Sequence, residues 1–263
     1  MAETSSKVLV VLPTLGDRVS QLELALESVE LQRGEVELTL VVVVPPDAKE
    51  ARTLAKKFGA VVIEDPGKGM SAAINAGIEA RTLEDFYIWL GDDDSYRPGG
   101  LKSLVQAMKT HPHATVAFGA CDYVGDGEVL WTSRAGAWAS RLVGLGPNLI
   151  PHPAALIRLD SLIAIGGYDE KLTMVMDLDL FLRLRRVGEF VSTPATVSAF
   201  GWHPDSLTVS DRRKSAAEAR MVKRRYLPRW ALLFEPLWEY PVQWASALAA
   251  RRLSRRRNTA ANS

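Results

Sequence analysis

Residues 86–101 read FYIWLGDDDSYRPGGL. Five apolar residues, Phe86 to Leu90, run into Gly91 and then three successive carboxylates, Asp92, Asp93 and Asp94. A short apolar run stopped by turn-forming residues reads as a buried strand. Three carboxylates at its end repel one another, and removing them from water is costly unless something positive sits among them. The triplet is therefore a solvated acidic turn or a strand end built to hold a cation.

The flanking sequence repeats the same strand-then-stop pattern. KVLVVLP (7–13), VELTLVVVV (36–44) and AVVIE (60–64) are apolar runs, the first two closed by proline. Between them, 17–32 carries Val19, Leu22, Leu26 and Val29 at helical spacing, and 47–58 reads as a polar helix. GKGMSAAINAGIEA (67–80) reads as a glycine-opened loop entering a small-residue helix, and 98–109 as a helix with Leu101, Leu104, Val105 and Met108 on one face. Strands alternating with helices predict an α/β fold with a mostly parallel, doubly wound sheet flanked by helices. Ligands of such sheets bind at the carboxyl ends of the strands, where Asp92 to Asp94 lie. Beyond residue 113 the pattern loosens. Strands are expected at 114–121, 128–133 and 152–158, and a helix at 176–187.

At 263 residues, 47% hydrophobic and 24% charged, the chain has the composition of a soluble globular protein. A net charge of +1 gives no general attraction for nucleic acid. One cysteine, Cys121, excludes an intrachain disulfide and suits a reducing, cytoplasmic compartment. The N-terminus lacks the pattern of a signal peptide, and no uninterrupted apolar run is long enough to span a bilayer. An apolar, aromatic segment (230–250) is followed by the arginine-rich RRLSRRR, a pairing that suits peripheral contact with the inner face of an anionic membrane. A docked last helix with a solvated tail is the alternative. The expected organisation is one domain over 1–210 and a C-terminal helical extension with a basic tail over 211–263.

The candidate chemistry is acidic. Carboxylates combined with phosphate oxygens suit hard cations such as Mg²⁺ or Mn²⁺. Asp177 and Asp179, near the start of the 176–187 helix, serve either as favourable acids at a helix N-terminus or as a general base. Lys68 sits between Gly67 and Gly69 in a flexible loop, but the loop is neither a Walker A sequence nor G-x-G-x-x-G. His152 and His203 each precede proline, without zinc-ligand spacing. No G-x-S-x-G elbow appears, so serine-hydrolase chemistry lacks support.

The ordered motifs resemble family 2 glycosyltransferases, inverting enzymes of the GT-A fold, from about Lys7 to Ser210. VLVVLPTLGDR is similar to the family's first strand, and GKGMSAAINAGIEA to its G-x-x-x-A-x-N-x-G helix. YIWLGDDDSYRPGGL is similar to its acidic motif, with Gly91 standing at the first acid of D-x-D. HPAALIRLDSLIAIGGYDEKL and MDLDLFLRL resemble its acceptor-side strand and its [ED]-D-x-D-L-x-x-R-L helix. The resemblance implies a nucleotide-diphosphate sugar donor held near Pro13, Thr14, Asp47, Lys68, Gly69, Asn75 and Asp92. It implies a Mg²⁺ or Mn²⁺ site at Asp93, with Asp94 alongside and His203 in reach. It further implies Asp177 as catalytic base, with His152 and Asp179 on the side of a glycan, lipid-linked or protein acceptor. A nucleotidyltransferase on a similar sheet, releasing pyrophosphate, is a second reading. A catalytically weak sugar- or membrane-binding relative is a third.

Overall fold

The computed structural model describes residues 6–134, 136, 138–143, 148–202 and 212–227. Its first half follows the expected alternation: β1 (Lys7–Pro13), α1 (Val19–Glu30), β2 (Glu37–Val44), α2 (Lys49–Lys57), β3 (Val61–Glu64), α3 (Met70–Glu79) and β4 (Phe86–Trp89). These strands lie in the order β3-β2-β1-β4, every neighbour parallel. β1 alternates between two cores. Val8, Val10 and Leu12 pack with Leu22, Leu26 and Val29 of α1, whereas Leu9 and Val11 pack with Ala73, Ile74 and Ile78 of α3. A strand buried on both faces needs apolar residues at every position, which explains its unbroken Val/Leu run. α3 lies close to the sheet because Gly77 has no Cβ: one added there would sit 2.4 Å from Val11 Cγ1.

The second half is mixed. After β5 (Ser95–Tyr96) and α4 (Gly100–Thr110) come β6 (Ala114–Gly125), β7 (Glu128–Ser133), α5 (Trp138–Leu142), β8 (Ala155–Arg158), α6 (Leu159–Ala164), α7 (Met176–Leu184), β9 (Glu189–Gly201) and α8 (Arg212–Tyr226). The sheet continues β4-β8-β6-β9-β5, with β7 paired to β6. β8 runs antiparallel to both its neighbours, β5 antiparallel to β9, and β6 parallel to β9.

Three details depart from the sequence expectations. Residues 152–158 do not form one strand, because His152–Ala154 make a 3₁₀ turn before β8; Pro153, with no N–H, ends ladder pairing there. The helix expected at 98–109 begins only at Gly100, after Gly99 takes a left-handed conformation at φ 69°. β9 was not anticipated. Its irregular EFVSTPATVSAFG sequence carries Pro194, and its pairing with β6 shifts register repeatedly, so no two-residue period marks it. Among the described residues no helix is long and apolar enough to cross a membrane. The 230–250 segment, the arginine-rich tail and His203 lie outside the described residues.

Candidate active site

The loop after β4 gives its three carboxylates three different surroundings. Asp92 is 4% exposed. Its Oδ2 accepts from the Thr14 hydroxyl at 2.6 Å and its Oδ1 from Arg18 Nη2 at 2.7 Å. Asp94 is 2% exposed and accepts from the backbone N–H groups of Gly91 and Gly201, at 3.3 and 3.0 Å. Asp93 reaches further out, its side chain 20% exposed against 6% for that of Asp92, and its Oδ2 accepts from Arg18 Nη1 at 2.9 Å. One guanidinium thus bridges two adjacent carboxylates. Burial raises the Asp92 carboxyl above the usual range, partly offset by Thr14 and Arg18. It raises Asp94 further, with the Asp93 charge adding to the rise and the two amides opposing it.

Gly91 follows from this arrangement. A Cβ at residue 91 would lie 2.7 Å from Asp94 Oδ2 and 3.0 Å from Asp93 Oδ1. A side chain there would press on the Asp94 and Asp93 carboxylates, and glycine leaves them room. Beside Asp93 a cavity of about 280 Å³ opens, lined by Ser95, Arg97, Val129, Phe200 and Gly201 among others.

A second acid comes from far along the chain. Asp177 and Asp179 share the first turn of α7, but residues two apart on a helix point about 200° apart. Asp177 is half-buried, accepting from Asn148 Nδ2 at 2.7 Å and from the Leu178 N–H at 2.8 Å. Burial raises its carboxyl above the ordinary value, against those two hydrogen bonds. Asp179 turns the other way. It is 1% exposed and holds Arg183 Nε and the Tyr226 hydroxyl, each at 2.7 Å. The Tyr123 phenol, on β6, is pushed up chiefly by burial, with smaller contributions from Cys121, Asp94 and Asp177.

The other candidates are placed as follows. Pro13 ends β1, and Thr14 bridges the Gly16 N–H and Asp92 through its hydroxyl. Asp47 and Lys68 are exposed after β2 and β3, and Gly69 precedes α3 at φ 96°. Asn75 is taken up inside the fold: its amide donates to the Tyr168 carbonyl and Glu170, and accepts from the Tyr168 N–H. His152 is buried, stacked on Trp89 at 4.5 Å, with Nε2 2.6 Å from the Tyr168 hydroxyl. Burial lowers its pKa to about 3, so the ring is neutral.

Four residues of the site escaped the sequence reading. Arg18 follows the end of β1, which pairs with β4, so an arginine in that loop had a readable route to the acids. Asn148, Glu218 and Tyr226 had none, since each acts on α7 from a distant segment. Glu218 of α8 accepts from the N–H groups of Thr173, Met174 and Val175, at 3.0, 2.6 and 3.0 Å.

The acids available to a metal have the chemistry for one. A carboxylate at a cleft, completed by phosphate oxygens, is the usual set for Mg²⁺ or Mn²⁺. Among the described residues no cluster of three or more His, Cys, Asp or Glu forms a ready cage.

The glycosyl transferase family 2 model matches residues 9–162, more than half of the 263 residues, and the chain belongs to that family. Three solved structures show the shared fold. The mannosyltransferase PcManGT from Pyrobaculum calidifontis, in complex with GDP-Man and Mn²⁺, matches at TM-score 0.65 and 16% identity, over 98% of this chain and 80% of that one. S. aureus TarS 1–349 with UDP-GlcNAc matches at 0.63 and 14%, over 82% and 65%. Glucosyl-3-phosphoglycerate synthase from Mycobacterium tuberculosis, with phosphoglyceric acid, matches at 0.61 and 18%, over 83% and 80%. The chain spans less than two thirds of the TarS chains it matches, 39% in the longest. A search of curated protein sequences finds no match.

Proposed function

We propose that this chain is an inverting, metal-dependent glycosyltransferase that moves a hexosyl or deoxyhexosyl unit from a nucleotide-diphosphate sugar to an acceptor hydroxyl of a glycan, lipid-linked or protein acceptor. The observation that carries the reading is the acidic loop after β4, where Asp93, more exposed than its buried neighbours Asp92 and Asp94, stands beside a cavity at the strand ends of a family 2 fold. Donor binding falls to the strand ends: Pro13 and Thr14 after β1, Asp47 after β2, and Lys68 and Gly69 after β3. Asp93 would hold Mg²⁺ or Mn²⁺, which neutralises charge on the departing diphosphate.

Asp177 accepts the proton of the acceptor hydroxyl. The acceptor oxygen bonds to the anomeric carbon from the face opposite the diphosphate, the carbon–oxygen bond to the diphosphate breaks, and the configuration inverts. Burial prepares Asp177 for this role, because a carboxyl raised toward the working pH is a stronger base than an ordinary aspartate. Its bond from Asn148 holds the carboxylate in one orientation. The test is a thermal-shift screen of UDP-, GDP- and dTDP-sugars with and without Mn²⁺, followed by product analysis with the stabilising donor. Stabilisation by one donor class, greater with Mn²⁺, is expected. Failure of every donor to stabilise the protein overturns the reading, and pyrophosphate release from a nucleoside triphosphate would replace it with nucleotidyl transfer.

A further inference from the structure

We propose that Arg18 is a resident counter-cation that closes Asp92 and Asp93 to a divalent metal until an anionic nucleotide diphosphate arrives. The inference rests on the metal role given to Asp93 above, and adds an order of binding to it. Arg18 lies just before α1, with Nη2 2.7 Å from Asp92 Oδ1 and Nη1 2.9 Å from Asp93 Oδ2. The pair is no loose surface contact, since Asp92 is 4% exposed and its other oxygen is taken by Thr14. Asp94 offers no substitute, because its oxygens face the Gly91 and Gly201 amides.

A divalent ion binding these carboxylates must displace the guanidinium or sit beside it, and arginine does not escape by losing its proton. Both alternatives weaken metal binding by the free protein. Two adjacent cations become tolerable once a diphosphate brings negative charge between them. Metal and nucleotide then bind with strong positive coupling, each raising the affinity for the other by the same factor.

A purely structural Arg18 predicts the opposite sign. Its loss would leave Asp92 buried without its cation, loosen the loop and weaken every ligand. The experiment measures Mn²⁺ binding to the full chain by electron paramagnetic resonance and calorimetry, alone and with saturating UDP or GDP. Wild type is expected to bind Mn²⁺ weakly alone and about tenfold or more tighter with the effective nucleotide, within the usual range of coupling between sites. Arg18→Gln is expected to bind Mn²⁺ alone about tenfold tighter than wild type, to lose most of the coupling, and to gain thermal stability from Mn²⁺ by itself. Arg18→Lys, which keeps the charge, should resemble wild type, and Asp93→Asn in the Arg18→Gln background should abolish the gain. Should Arg18→Gln fail to fold, the Arg18→Gln/Asp92→Asn pair removes the buried charge along with its partner, and its Mn²⁺ affinity is compared with that of Asp92→Asn alone. Nucleotide-dependent Mn²⁺ binding in wild type with no tightening in the Arg18 variants overturns the counter-cation while leaving the metal role of Asp93 intact. Absence of Mn²⁺ binding in every protein, with or without nucleotide, overturns both.

Discussion

Single residues set the chemistry through where they sit relative to water. Asp177 is half-buried and its carboxyl is raised by that burial, so its charge is a cost to the fold as well as a tool. Asp177→Asn should therefore keep or raise the melting temperature while slowing sugar transfer by about 10²–10⁴-fold, the usual range for a lost general base. A wild-type rate in the folded variant would place the base elsewhere. The Asn148 amide stabilises the ionised form of Asp177. Asn148→Ala removes that bond and raises the carboxyl further, so the base is protonated at a higher pH. The acidic limb of the rate–pH profile should move upward; an unchanged limb would separate Asn148 from the base. Both predictions need only conventional kinetics once a donor is known.

At the scale of elements, α7 is held by α8. Val175, at the entry to α7, has no side chain able to accept from backbone N–H groups, and Glu218 accepts from three in succession. Tyr226 and Arg225 reach Asp179 on the same helix, and Val222 is fully buried in the core that includes Phe181. Glu218→Ala leaves three backbone donors without their charged acceptor, and should lower unfolding stability by roughly 1.5–3 kcal/mol on the scale of a bond to a charged group. Denaturant melts that coincide with wild type would show that water replaces the carboxylate without loss. The sequence predicted α7 from its apolar face, Leu178, Phe181 and Leu182, but its anchoring was illegible there. A glutamate on a basic helix more than forty residues downstream carries no mark of the backbone it will cap.

The stability of the molecule against acid is tied to a histidine its core keeps neutral. His152 has a folded pKa of about 3 against an ordinary 6.5. In the unfolded chain it takes up a proton as the pH falls through 6.5, whereas in the folded chain it does not until near 3. Its contribution is thus present above 6.5 and lost progressively between 6.5 and 3, at up to about 1.4 kcal/mol per pH unit. The buried acids Asp92, Asp94 and Asp177 act in the opposite sense, because their raised folded pKa values favour proton uptake by the folded state. The His152 effect is therefore read as a difference between proteins. Wild type should lose stability more steeply than His152→Gln between pH 6.5 and 4, and parallel curves would show that His152 is protonated within the fold.

The sequence by itself determined the parallel half of the sheet. Both faces of β1 and β2 are buried, so nearly every position had to be apolar and the pattern could be read locally. It also determined that acids gather at the end of β4, because that clustering is local too. Only the tertiary structure decided which acid faces the cleft, since three identical side chains are set apart by partners that follow β1, precede α1 and end β9, among them Thr14, Arg18 and Gly201. It likewise decided why Gly91 opens the acidic loop, a matter of less than 3 Å between an absent Cβ and Asp94. Local pattern records what a residue must be buried against on average. Charge placement depends on single contacts across dozens of residues, and those exist only once the chain has folded.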